Sequence, residues 1–160
     1  MTRIKSLRRR ATRSASLVFL SLLLGVGGLI TAPTASADGN YCGYWVLGAI
    51  EAKYLSKGGP GGVLGCPTTG ELTNPDGYGK RNHFGPRGII YWSGGTGAHP
   101  VWGAILDLYS AWGYEQGQYR YPTGDEAVYP DPLGPRYTQN FQCGRLQWQS
   151  GWPSTYYNCD

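Results

Sequence analysis

The sequence predicts an α+β fold: two tandem helix-loop-β-hairpin units of about 55 residues, packed as one pseudo-symmetric domain stapled by disulfides. Three observations support this prediction. A long stretch occurs twice, each copy combines a helical spacing of apolar residues with a strand-like run, and the cysteine count is even. We place the units at residues 46–100 and 101–156, within a single domain of residues 38–160.

The stretch from residue 46 to residue 93 is repeated at residues 101 to 150. A shift of 55 places gives 14 identities over the 36 positions from 46 to 81, without a gap. The identities include Gly48-Ala49-Ile50 with Gly103-Ala104-Ile105, Glu71 with Glu126, and Arg81 with Arg136. A period of this length is typical of one supersecondary unit used twice.

Each unit should begin with a helix. Apolar residues at i, i+4 and i+8 fall on one helix face, and the two copies supply Val46, Ile50, Tyr54 and Val101, Ile105, Tyr109. The helices should end near Gly58 and Gly113, since glycine commonly terminates a helix. Glycine within these helices, at positions 48 and 103, indicates a close crossing against another backbone.

A turn and a hairpin should follow each helix. Asn74-Pro75-Asp76-Gly77 has the composition of a tight turn. Residues 83–92 read as a β-hairpin around Gly85-Pro86-Arg87-Gly88, and residues 140–148 repeat it.

The first 37 residues have the pattern of a secretory signal peptide. A basic start precedes an apolar run from Leu17 to Ile30, and Ala35-Ser36-Ala37 offers a cleavage site. The apolar run is shorter than the roughly 20 residues of a membrane span, so we expect no stable membrane anchor after cleavage. General secretion and twin-arginine export both remain possible.

Cleavage changes the charge of the chain. All ten acidic residues follow residue 37, whereas six of the fourteen basic ones precede it, so the remainder carries 8 − 10 = −2. A nucleic-acid-binding protein needs a basic surface. We therefore expect no nucleic-acid partner.

All four cysteines, Cys42, Cys66, Cys143 and Cys159, follow the predicted cleavage site. An even count in an exported chain predicts two disulfides. Pairing Cys42 with Cys66 and Cys143 with Cys159 closes short loops, while a Cys42–Cys159 bond is the rival arrangement. We expect no metal site, because no C-x-x-C motif occurs and His83 and His99 are the only histidines.

No catalytic constellation is evident, so we expect a non-enzymatic protein without a cofactor. Neither histidine has the sequence context of a catalytic base. A hydrolase using Glu71 and Glu126, or Asp76 and Asp131, is the weaker alternative. Duplicated positions tend to give similar environments, whereas glycosidases need one protonated and one ionised carboxyl. In T-x-x-E spacing after Thr68 and Thr123, these glutamates more simply satisfy local backbone donors.

Aromatic residues supply the candidate binding groups. Tyrosine and tryptophan offer a flat apolar face with a polar edge, which suits a sugar ring. We expect Tyr91, Trp92 and Trp148 to stack on a ligand, and Arg81 and Arg136 to donate hydrogen bonds to hydroxyl or phosphate groups.

The chain contains Leu64-Gly65-Cys66-Pro67, followed by Asp76–Arg81, Gly88–Ser93, Thr96–His99 and Val101–Ile105. In these residues it resembles the LGFP-repeat family of exported, cell-wall-associated actinobacterial proteins, which has L-G-F-P at the position of residues 64–67. Cys66 replaces the phenylalanine, and the second copy, Tyr119-Arg120-Tyr121-Pro122, keeps only an aromatic residue and the proline. Family members usually carry these repeats beside enzymes such as mycolyltransferases, esterases and amidases.

The resemblance implies a secreted or wall-associated, non-catalytic module whose partner is a cell-wall glycan of the arabinogalactan or peptidoglycan type. A secreted protein-interaction module or inhibitor, with an exported protein as its partner, is the alternative. A wall hydrolase is the third reading.

Overall fold

The computed structural model describes residues 38–86, 88–149 and 152–159. The predicted signal peptide lies outside these residues. Within them the predicted α+β class is confirmed, because two helices pack against antiparallel sheets. Neither described helix has the length and apolar character needed to cross a bilayer.

The elements occur in the order expected of two similar units. A small hairpin of β1 (Gly39–Tyr41) and β2 (Tyr44–Val46) precedes α1 (Gly48–Ser56), and a four-stranded sheet follows with the order β3 (Leu72–Thr73), β4 (Lys80–Phe84), β5 (Gly88–Ser93), β6 (Gly97–Trp102). Helix α2 (Gly103–Ala111) then leads to a second four-stranded sheet with the order β10 (Trp152–Tyr157), β9 (Gly144–Gln149), β8 (Arg136–Phe141), β7 (Ala127–Tyr129).

Both predicted helices and both predicted hairpins are present. The two helices start 55 residues apart, and each is followed after two residues by a short 3-10 turn, at Gly59–Gly61 and at Tyr114–Gln116. Gly58 and Gly113, which separate helix and turn, have left-handed φ angles of 94° and 86°. Glycine therefore ends each helix where the sequence predicted it.

The two glycines inside the predicted helices have a different role from the one expected. They are the first residues of α1 and α2, with φ angles of 50° for Gly48 and 54° for Gly103. A Cβ atom at either position would meet no atom within 4 Å, so the expected close backbone crossing is wrong. The left-handed backbone conformation is what favours glycine here.

The core consists of two clusters of buried side chains. One lies between α1 and the first sheet and includes Val46, Ile50, Tyr54, Phe84 and Ile90. The other surrounds α2 and includes Ile89, Tyr91, Val101, Ile105, Tyr109, Phe141 and Leu146. The apolar helix faces predicted from the spacing are thus the buried ones.

Strand β5 is buried on both of its faces, and β9 is not. Alternate residues of a strand point to opposite faces, and Ile90 packs in the α1 cluster while Ile89 and Tyr91 pack in the α2 cluster. The positions in β9 that correspond to Ile89 and Tyr91 are Arg145, which is exposed, and Gln147, which is half-buried. This face of β9 is therefore polar, whereas the same face of β5 is covered by the α2 cluster.

The predicted disulfides are confirmed, and all four cysteines are paired. Cys42 bonds to Cys66, and Cys143 bonds to Cys159. The first bond ties the β1–β2 hairpin to the segment after α1, and the second ties the chain's end to the β8–β9 turn. This arrangement excludes the Cys42–Cys159 alternative.

Candidate functional site

Two pockets of similar composition lie at the starts of the two helices. The first tryptophan pocket, of about 350 Å³, is lined by Asp38, Leu47, Gly48, Ala49, Ile50, Glu71, Lys80 and Trp92. The second tryptophan pocket, of about 270 Å³, is lined by Trp102, Gly103, Ala104, Glu126, Tyr137 and Trp148. Each therefore combines a tryptophan, a glutamate and the glycine that opens a helix.

The shared lining follows from the sequence repeat. Shifting the first pocket by 55 places carries Leu47-Gly48-Ala49 onto Trp102-Gly103-Ala104 and Glu71 onto Glu126, while Trp92 corresponds to Trp148 with one additional place. The two pockets are thus lined by residues at corresponding positions of the two sequence copies.

Local structure places each tryptophan and leaves room in front of it. Trp92 and Trp148 are the second-to-last residues of β5 and β9, half-buried, and each packs its inner part against a core cluster. The helix-opening glycines have no side chain, and the space that a Cβ would enter at either position is free of other atoms within 4 Å. A flat ligand can therefore approach the remaining exposed part of each indole.

The two pockets differ in their polar groups. In the first, Asp38 accepts a 3.1 Å hydrogen bond from the Gly48 amide, and Lys80 adds an ammonium group. In the second, Trp102 replaces Leu47, and the Tyr137 ring lies 5.7 Å from the Trp148 ring. The second pocket is therefore the more aromatic one.

Glu126 has an unusual protonation equilibrium for a glutamate. Burial raises its pKa from 4.5 to about 7, although the neighbouring Trp102 side chain and the Lys57 ammonium group act in the opposite direction. Near neutral pH this carboxyl can therefore both donate and accept hydrogen bonds. Such a group suits a ligand with hydroxyls, which also do both.

An ion cluster is centred on Asp125, which precedes the pocket residue Glu126 in the sequence. The cluster contacts the second tryptophan pocket at Trp102. Asp125 accepts contacts of 3.1 Å from Lys53, 2.7 Å from Lys57 and 2.8 Å from His99 Nδ1. Burial alone would raise the pKa of Asp125, but hydrogen bonds from Lys57, His99 and Lys53 lower it to about 2. Lys57 also lies 5.7 Å from the ring centre of Trp102.

Tyr91 does not belong to a binding surface, and its prediction as a stacking residue is wrong. The side chain is 2% exposed and packs edge-on against Tyr109 of α2, with 5.5 Å between ring centres. Stacking on a ligand requires Tyr91 to project from an exposed face of the hairpin. Helix α2 covers that face of β5, so the neighbouring unit buries Tyr91.

Arg81 serves the fold rather than either tryptophan pocket. Its Nη1 donates to Asn74 Oδ1 at 2.8 Å, and its Nε donates to His83 Nε2 at 3.2 Å. The basic residue that lines the first pocket is its neighbour Lys80. The expected ligand-binding role of Arg81 therefore has no support in the geometry.

Arg136 is likewise held by internal contacts. Its guanidinium group lies 5.6 Å from the ring centre of Tyr129, and its buried Nε has no hydrogen-bond partner within the described part of the chain. The residues lining the second pocket include no arginine. The structure thus brings Trp92 and Trp148 into pockets and leaves the two arginines outside them.

The sequence indicated Glu71 and Glu126 only as candidates for a hydrolase or as partners of local backbone donors, and it did not indicate Lys80, Trp102 or Tyr137 as pocket residues. The signal was present, because the glutamates are repeated in register with the helix glycines and the hairpin tryptophans. The sequence does not show that the loop after each helix brings the glutamate back beside the first residue of that helix. In the regions that the structure describes, no group of three or more His, Cys, Asp or Glu side chains is arranged to hold a metal ion.

Comparison with known proteins identifies part of the chain. Residues 64–117 match the family model of the LGFP repeat. The matched range starts after α1 and ends after α2, so it contains the first sheet and the second helix. No curated protein matches the chain significantly.

Proposed function

We propose that this chain, which contains an LGFP repeat, is an exported, non-catalytic protein that binds cell-wall polysaccharide through its two tryptophan pockets. In this proposal the two units form a pseudo-symmetric domain that presents one pocket each. The observation that carries the proposal is the recurrence of tryptophan, glutamate and helix-opening glycine at equivalent positions.

The composition of the pockets suits a sugar ring. The apolar face of a pyranose or furanose can lie on the indole, and its hydroxyls can hydrogen-bond to the glutamate. Small-molecule sites typically combine an aromatic surface with a small number of polar groups.

Two copies of one pocket also suit a polymeric ligand. When a glycan chain occupies one pocket, the second is filled at a high effective concentration, so weak individual sites give firm retention overall. A repeat in the protein then matches a repeat in the ligand.

A non-catalytic role is supported by the carboxyl groups of the pockets. Glycoside hydrolysis generally uses two carboxyl groups that flank the scissile bond, and Glu126 is the one acidic residue lining the second pocket. In the first pocket the second acid, Asp38, is occupied by the amide of Gly48.

The test is retention of the mature protein on insoluble cell-wall preparations stripped stepwise of lipid, arabinan and peptidoglycan. We expect retention until the bound polysaccharide is removed, with no release of soluble sugar. Recovery of all the protein in the supernatant of intact walls at micromolar concentration would refute the proposal.

A protein partner is the second candidate, supported by the edge strand β10. All six residues of this strand are exposed, and Trp152 is 80% exposed. An open strand edge with aromatic side chains can bind a partner by strand addition. Co-purification of one stoichiometric protein from culture medium, without retention on walls, would favour this candidate.

A further inference from the structure

A buried side-chain amide lies at an equivalent place in each unit, beneath the surface that forms the tryptophan pockets. Asn82 in β4 and Gln139 in β8 are both fully buried. They are equivalent because each lies two residues before the phenylalanine, Phe84 or Phe141, that ends its strand. Neither amide lines a tryptophan pocket, yet both bond to segments that do.

In the first unit the amide joins two separate segments to β4. Asn82 Nδ2 donates to the carbonyl oxygen of Trp45 in β2 at 3.0 Å and to that of Thr69 at 3.1 Å. Trp45 lies three residues before Gly48, and Thr69 lies two residues before Glu71. Gly48 and Glu71 both line the first tryptophan pocket. We call this side-chain amide and its two carbonyl partners the first amide clamp.

The second unit repeats the arrangement with equivalent partners. Gln139 Nε2 donates to the carbonyl oxygen of Pro100 in β6 at 2.8 Å and to that of Gly124 at 2.9 Å. Pro100 lies three residues before Gly103, and Gly124 lies two residues before Glu126. Gly103 and Glu126 both line the second tryptophan pocket. A shift of 55 places carries both acceptors of the first amide clamp onto those of this second amide clamp.

Each amide also lies on the same sheet face as the aromatic part of its pocket. In the second sheet, Tyr137 of β8 is opposite Trp148 of β9, and Gln139 is opposite Leu146. Alternate residues of a strand share a face, so the amide is one residue pair further along from the two pocket rings. The first sheet has the same register at Lys80, Asn82, Ile90 and Trp92.

Both clamps leave one polar atom without a partner. Asn82 Oδ1 and Gln139 Oε1 are buried and accept no hydrogen bond from the described residues. A buried acceptor that lacks a donor lowers the stability of a fold. Its occurrence at both equivalent positions indicates that each amide is present for its two donated bonds, which fix the glutamate segment relative to the start of the helix.

We propose that Asn82 and Gln139 are positioning residues of the two tryptophan pockets, and that each amide holds the pocket glutamate beside the first residue of the helix. The inference rests on the proposed polysaccharide-binding role and adds to each pocket a residue that does not touch the ligand. The second pocket should depend more strongly on its clamp. In the first unit Thr69 Oγ1 also accepts a 3.0 Å bond from the His83 amide, whereas Gly124 has no side chain.

NMR of the mature, disulfide-bonded protein without ligand tests the second clamp. Gln139→Met replaces the amide by an apolar side chain of similar length. The pKa of Glu126 should fall from about 7 toward 4.5, because the released segment exposes this carboxyl to water. The indole N–H signal of Trp148 should move, and that of Trp92 should stay. A lower Tm with an unchanged Glu126 pKa and Trp148 signal would overturn the proposal.

A milder variant covers the case in which Gln139→Met does not fold. Gln139→Asn keeps the amide but shortens its reach by one methylene group, so it should change the Glu126 pKa in the same direction by a smaller amount. Thr138→Val is the control in the same strand, because Thr138 lies on the opposite face of β8. Equal effects of Thr138→Val and the Gln139 variants would contradict the assignment.

The first clamp should show the reciprocal pattern. Asn82→Leu, which has a similar shape without the amide, should move the indole signal of Trp92. It should leave the signal of Trp148 and the pKa of Glu126 unchanged. A change in both pockets would indicate a general loosening of the fold and would overturn the proposal.

Retention on cell walls separates failure of this inference from failure of the proposed function. If the wild type is retained, folded Gln139→Met should lose about as much affinity as Trp148→Ala, and retention at wild-type strength would overturn the inference. If the wild type is not retained, the proposed function fails. The Glu126 pKa and the Trp148 signal need no ligand, so they decide the positioning role in either case.

Discussion

The hydroxyl of Tyr121 donates a 2.6 Å hydrogen bond to the carboxylate of Asp76, 45 residues earlier in the chain. The same hydroxyl accepts a 3.0 Å bond from Asn74 Nδ2, and Asn74 Oδ1 in turn accepts from Arg81. A series of hydrogen bonds therefore joins the turn between β3 and β4 to Tyr121, in the segment before β7. Sequence comparison within each unit cannot reveal it, because it connects residues that are not equivalent.

Replacing Tyr121 by phenylalanine should lower the free energy of unfolding by about 1–2 kcal/mol, because Asn74 loses its buried acceptor and Asp76 loses a donor. Urea unfolding at neutral pH measures the loss. Since the folded-state pKa of Asp76 is lowered, its stabilising contribution is present above the ordinary value of 3.8 and is lost at lower pH. The difference between the two proteins should therefore narrow in acid; a constant difference would contradict this assignment.

Glu126 should make the stability of the fold depend on pH near neutrality. Its folded-state pKa is raised from 4.5 to about 7, so the folded state binds more protons than the unfolded state between these values. The free energy of unfolding should therefore fall as pH rises from 4.5 to 7. Glu126→Gln should flatten this part of the curve, whereas Glu71→Gln is the matched control at the equivalent position.

Alanine at the first residue of either helix should destabilise the protein. Gly48→Ala and Gly103→Ala should each cost about 1–2 kcal/mol, since both positions have left-handed φ angles although neither is crowded. Gly70→Ala is the control, because Gly70 also has free space around it but no left-handed φ. Thermal unfolding of the three variants measures the contrast, and equal effects would show that backbone conformation is not the cause.

The disulfides should contribute similar amounts to stability. They enclose sequence separations of 24 and 16 residues, for which the chain-entropy model gives about 3 kcal/mol each. Cys42→Ser/Cys66→Ser and Cys143→Ser/Cys159→Ser double variants, compared by urea unfolding, should show this. A negligible loss in either pair would mean that the bond constrains little of the unfolded chain.

Sequence predicted the parts of the fold that depend on local pattern. The spacing of Val46, Ile50 and Tyr54 identified a buried helix face, and Gly58 marked the end of α1. Strand β6 was missed because Pro100 and the preceding glycines resemble a loop. The strand nevertheless forms at the edge of its sheet, where a proline is tolerated.

The candidate site was predicted only in part, because the loop between helix and hairpin brings together residues that are far apart in the sequence of each copy. Trp92 and Trp148 were found from their repeated position in the hairpins. Tyr91 was misassigned because nothing local to β5 shows that α2 covers its second face. Its equivalent, Gln147, is polar, and this difference between the copies is the one sequence feature that could have indicated the burial.

The most direct test of the central claim compares wild type with Trp92→Ala, Trp148→Ala and the double variant in binding to purified wall polysaccharide, with circular dichroism to confirm folding. Each single variant should lose about 1–3 kcal/mol of binding free energy if the rings stack as they do on nucleic-acid bases. The double variant should lose retention. Binding of the folded double variant at wild-type strength would contradict the account.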